Sequence, residues 1–174
     1  MRSRTLMFTL VASAITLTTT RVVAAAPLLR ASADSVRTNV APDSARIQML
    51  MTKVDAALQA GRIKDARHLY RTLIDEQRAS EQYAGGALWR LAETYFAADD
   101  ARGAVRVLDE VAEAASRFGD PAMELKATFE AALLYQQMRR PTAVAFRLPR
   151  IKALLQSPAV SKEQKQDIES RMAT

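Results

Sequence analysis

Beyond position 43 the chain is patterned by apolar residues recurring at three- and four-residue steps. The clearest stretch, residues 85–118, places Leu88, Leu91 and Tyr95, then Ala104, Leu108 and Val111, at that spacing, broken once at Asp99-Asp100. Such a pattern puts one apolar stripe on each of two helices with a tight polar turn between them. Ala92 and Ala104 are the small residues where the two backbones approach. Upstream, Asp43 or Ser44 is placed to cap a helix carrying Ile47, Leu50, Met51, Val54 and Leu58, which Gly61 ends. A second helix from about Ile63 lines up Ala66, Leu69, Tyr70, Leu73 and Ile74. Downstream, Asp120 is a natural N-cap with Pro121 in the first helical position, where its missing N–H is not needed.

These helix pairs repeat. At an offset of 38, Leu50 maps to Leu88, Gly61 to Asp99, Ala66 to Ala104 and Tyr70 to Leu108. At an offset of 40, Trp89 maps to Phe129, Ala92 to Ala132, Tyr95 to Tyr135, Leu108 to Leu148 and Val111 to Ile151. The third pair is the least regular, since Ala104 becomes Val144 and Pro149 falls inside the second helix, where a kink or an ending is expected. Gly85-Gly86 would weaken a helix interior and is better placed at the junction between pairs, where close packing or a bend excuses it. After Pro158, Ser161 and Gln164 form a capping-box pair opening a polar last helix, with Ile168 and Met172 on its inner side.

The stretch ALWRLAETYFAADDARGAVRVLDEVAEA, residues 87–114, resembles a tetratricopeptide repeat in its large–small–aromatic–turn–small–large order. The resemblance covers residues 47–155, with repeats longer than those most common in that family. The fold expected is all-α: a short solenoid of about three antiparallel helix pairs over residues 43–174, closed by a polar capping helix. The competing architecture is an antiparallel helical bundle with accidental periodicity.

In that family the first helices of successive repeats line a concave groove that holds a segment of another protein. Carried over by the repeat pattern, the groove would present Met51, Trp89 and Phe129 in one row, Asp55, Glu93 and Leu133 in a second, and Leu58, Phe96 and Gln136 in a third. Large apolar groups flanked by carboxylates suit a partner with apolar anchors and a basic residue. The rival reading makes Trp89 and Phe96 packing residues. The lysine and asparagine of the family's carboxylate-clamp members are absent, Met51 and Asp55, then Trp89 and Glu93, standing in those slots.

The start of the chain changes the picture of where the protein works. Arg2 and Arg4 precede an uncharged, largely apolar run over residues 6–17, and Ala24-Ala25-Ala26 follows, with Pro27 next. This is the layout of a cleavable secretory signal over residues 1–26, followed by a flexible tether over residues 27–42. An uncleaved anchor is the main rival, but Arg21 ends the run short of the ~20 residues a span requires. A mitochondrial transit peptide would be amphipathic rather than continuously apolar. The expected protein is therefore exported, to the periplasm or beyond. Cleavage removes three arginines and no acid, so the net charge of +6 falls to +3, too mild to invite a nucleic-acid reading.

One stretch remains strongly basic. Residues 139–152 carry Arg139, Arg140, Arg147, Arg150 and Lys152 with no acid, a patch that would attract an anionic membrane surface or an acidic protein face. Its bland alternative is a solvated helix face.

Enzymatic chemistry finds little to rest on. The chain has no cysteine and a single histidine, His68, so thiolate sites and two-histidine metal motifs are excluded, and no cofactor or metal is expected. Asp55 and Glu93 could face each other across the groove, but nothing near them in sequence positions a substrate. The reading that follows is a non-enzymatic adaptor of the cell envelope. The alternatives are a self-associating structural protein and, more remotely, a hydrolase.

Overall fold

The computed structural model describes residues 42–173, and the expected signal and most of the expected tether lie outside them. The described residues are all helical apart from their turns. Helices α1 (Pro42–Gln59), α2 (Ile63–Ala79), α3 (Gly85–Phe96), α4 (Ala101–Phe118), α5 (Pro121–Gln137), α6 (Pro141–Leu155) and α7 (Lys162–Met172) follow one another. Helix α1 already includes Pro42, so it starts before the expected cap at Asp43 or Ser44. Among the described residues no helix is long and apolar enough to cross a membrane.

From α1 to α6 the main helix–helix packing joins neighbours in the chain, and short connections make each helix double back along the last. Five turns share one geometry. In each, a residue with left-handed backbone follows the helix, and the last carbonyls are satisfied by a paired 5→2 and 6→1 set of N–H bonds. Gly61 is the first: its N–H donates to Leu58 at 3.0 Å and that of Arg62 to Ala57 at 2.9 Å. Asp99 and then Arg139 repeat the geometry, at the same two offsets that align the side chains. The junctions behave likewise, with Glu81 and then Gly119, one repeat apart, in the left-handed region. The backbone therefore carries the period read from the side chains.

Two of these turn positions hold residues that dislike the conformation. A left-handed backbone costs a non-glycine residue about 1–2 kcal/mol, and asparagine and aspartate tolerate it best. Arg139 has no such excuse and makes no hydrogen bond or ion pair to another described side chain. Arg139→Gly should raise stability by roughly 1 kcal/mol even though it deletes a cation, as measured by denaturant midpoint.

The core is in two parts. Leu50, Val54, Leu73, Ile74, Leu88, Leu91, Leu108 and Val111 pack together in the first, which α5 joins through Ala127, Ala131 and Leu134. The second gathers Leu125, Phe129 and Ala132 of α5 with Ile151, Leu154 and Leu155 of α6, Val160 and Ile168. Helix α5 is thus buried on two faces. Ala66 and Ala104 are fully buried, where the sequence places close helix contacts.

Further details refine the sequence expectations. Of the kink or ending expected at Pro149 the ending does not occur: helix α6 runs through it, and the carbonyl that loses its partner belongs to Ala145, on the exposed face. Ser161 accepts from the Gln164 N–H at 3.2 Å, but the Gln164 side chain does not complete the box. It donates instead to the Ala122 carbonyl at 2.8 Å, tying α7 to α5. On α7, Ile168 is buried as expected, whereas Met172 is exposed.

Candidate functional site

A cleft of about 780 Å³ opens between α1 and α3, floored by α2. Its floor is one face of α2, with Ile63, Tyr70, Leu73 and Gln77 at helical spacing. Met51, Val54, Asp55 and Leu58 form the α1 wall, spaced in the same way. The α3 wall is Gly86, Ala87, Arg90, Glu93, Thr94 and Ala97, so small residues keep the two walls apart at that side. Met51 stands 52% exposed at the mouth, one of several large apolar side chains that reach the surface among the described residues.

The polar groups of this cleft are unevenly matched. Glu93 is engaged: it accepts from the Trp89 indole N–H at 2.8 Å and pairs with Arg90 at 3.0 Å. Thr94 is also engaged, taking two bonds from Arg67, whose guanidinium lies over the Tyr95 ring. Asp55 makes no hydrogen bond or ion pair among the described residues. Tyr70 is only 7% exposed, and its hydroxyl bonds to no described residue. Burial pushes that hydroxyl above the ordinary phenol range; Arg90 pulls it back, while Asp55 and Glu93 push it further up. Gln77 Oε1 is fully buried with no hydrogen-bond partner.

Of the nine residues expected to line a groove, the structure brings four into this cleft: Met51, Asp55, Leu58 and Glu93. The other five are elsewhere. Phe129 is 3% exposed and belongs to the second core, with the Arg171 guanidinium of α7 4.8 Å above its ring. Leu133 packs against the same core. Phe96 is half-buried against the first core, and Gln136 is exposed at the far end of α5. Trp89 is half-buried too, with Lys126 of α5 3.9 Å over its ring, so the face expected to meet a partner is already occupied. The single row Met51–Trp89–Phe129 does not exist as an open surface, because α5 and α7 cover what the repeat pattern left bare.

Sequence reasoning missed Tyr70, Gln77 and Arg90 as cleft residues. Tyr70 was visible only as one more member of an apolar stripe, and nothing local to Gln77 distinguishes it from any solvated glutamine.

The basic stretch is also divided by the fold. Arg147 pairs with Asp109 at 2.6 Å and lies over the Tyr135 ring, and Arg150 takes both oxygens of Glu124 at 2.6 and 2.8 Å. These two cations are cross-links within the protein. Arg139, Arg140 and Lys152 remain exposed without such partners, and Phe146, 83% exposed, adjoins the first two in a shallow hollow at the start of α6.

No family model matches the chain, and comparison with the curated proteins and with the solved structures finds none similar to it.

Proposed function

We propose that the protein is an exported, tetratricopeptide-like adaptor that holds a segment of another protein in the cleft between α1 and α3. The observation that carries the reading is the cleft itself, wide enough for a chain segment, apolar along its floor and edged by an exposed methionine. Apolar floors with a few polar groups at the rim are the usual make-up of segment-binding grooves. The recurrence of the left-handed turn at the offsets of the repeat supports the family resemblance independently of the side chains. Acid–base chemistry by Asp55 and Glu93 has less behind it, since Glu93 is already held by Trp89 and Arg90.

Met51→Glu tests the adaptor reading. Met51 is half out of the protein, so helicity and thermal midpoint should stay close to wild type. Crosslinking and pull-down from the native envelope should lose at least tenfold of each partner captured through the cleft. Trp89→Ala should leave capture unchanged and lower stability instead, reversing the role its sequence position suggested. A dilution series on both forms adds the competing outcome: a dimer that Met51→Glu abolishes assigns the cleft to self-association.

A further inference from the structure

The cleft has an inner end that its apolar floor does not explain. Tyr70 is more than nine-tenths buried, yet its hydroxyl faces a lined space and bonds to nothing described. Open to the cleft, that hydroxyl is free to accept a hydrogen bond from whatever occupies the space. Around it stand two carboxylates, Asp55 and Glu93, and one guanidinium, Arg90, the three charged groups that act on the Tyr70 hydroxyl. Arg90 and Glu93 neutralise each other at 3.0 Å, which leaves Asp55 as an uncompensated negative charge at the rim. Arg67, the other cation on this face of α2 and α3, is committed to Thr94 and the Tyr95 ring. Further along the same floor, Gln77 Oε1 is buried and also unpartnered. That oxygen can only accept, and so can the Asp55 carboxylate. The cleft therefore asks for donors and one positive charge, set in an apolar channel.

We propose that the α1–α3 cleft contains a cation subsite, formed by the Tyr70 hydroxyl and the Asp55 carboxylate, that takes an arginine side chain of the partner segment. The guanidinium is the group that fits: it is planar, always charged, rich in donors and weakly hydrated, so it can leave water for a half-apolar site. Its neighbours on the segment are apolar, lying along Leu58, Leu73 and Met51. This rests on the adaptor reading and adds to it the chemistry of the partner.

The test uses the full chain and a fluorescein-labelled peptide carrying one arginine between two leucines, followed by anisotropy, beside the same peptide with citrulline. Citrulline keeps the shape and loses the charge. The arginine peptide should bind at least tenfold more tightly than the citrulline peptide, with the difference shrinking as salt rises. Tyr70→Phe and Asp55→Asn, each of which keeps the size of the side chain, should each remove most of that difference. Equal binding of the two peptides, undiminished by either variant, leaves a segment-binding cleft and overturns the cation subsite. Binding of neither peptide, both to the unaltered chain and to one in which the upstream arginines Arg30 and Arg37 are changed to glutamine, overturns both the subsite and the adaptor reading. Arginine-dependent binding that emerges only after Arg30→Gln and Arg37→Gln, the two arginines of the expected tether over residues 27–42, overturns the external partner in favour of the chain's own upstream segment.

Discussion

Arg150→Met is expected to cost about 2–4 kcal/mol of folding stability, more than a surface arginine normally contributes. The reason lies with its partner. Glu124 stands in the first turn of α5, and its side chain is 8% exposed, while that of Arg150 is 53% exposed. Two bonds at 2.6 and 2.8 Å bring the planar guanidinium onto both carboxylate oxygens, the arrangement in which arginine binds acids best. Taking away the cation does not expose the acid to water; it leaves a charge in the packed junction of α5 and α6. Removing both partners, with Glu124→Met and Arg150→Met together, strands no charge and should recover most of the loss. Chemical denaturation of the two single variants and the double variant measures this. An Arg150→Met protein as stable as wild type would show that Glu124 is solvated, and the α5–α6 junction would need redrawing.

Gly103→Ala should destabilise by about 1–3 kcal/mol, against the usual sign of such a change in a helix. Glycine inside a helix ordinarily gives way to alanine with a gain of roughly 1 kcal/mol. Here Gly103 is buried in the first turn of α4, where its N–H also donates to the capping Asp100 carboxylate at 2.8 Å. A Cβ at this position would overlap the ring of Tyr95 and press on the Asp100 side chain. The ring cannot retreat freely, because the Arg67 guanidinium lies 3.8 Å from its centroid on α2's side. Tyr95→Leu should therefore absorb part of the penalty when combined with Gly103→Ala, giving a coupling of opposite sign to the single effect. The thermal midpoint of Gly103→Ala is expected to fall by several degrees; a rise would mean that α3 and α4 meet less closely than described. Gly85 obeys the same logic at the junction, where a Cβ would run into the Tyr83 ring.

Much of this protein can be read without coordinates. The apolar steps at Leu88, Leu91, Leu108 and Val111 identify buried faces, because a helical period leaves few other ways to hide them. The helix ends at Gly61, Asp100, Asp120 and Ser161 are equally local, set by side chains and backbone nearby in the chain. Even the repeat survives, since the offsets that align the side chains also align the left-handed residues Gly61, Asp99 and Arg139.

What only the tertiary structure decides is which of the exposed-looking faces is covered. Spacing assigns Trp89 and Phe129 to equivalent positions of α3 and α5. It cannot say that α7 folds back to bury Phe129, or that Lys126 settles over the Trp89 ring, because those partners belong to other helices far along the chain. The same holds for charge. Five cations between Arg139 and Lys152 read as a patch until Asp109 of α4 and Glu124 of α5 claim two of them. Local periodicity determines the face on which a side chain sits; long-range packing determines whether that face meets water or a neighbour, and so left the cleft between α1 and α3 as the open, partly apolar hollow.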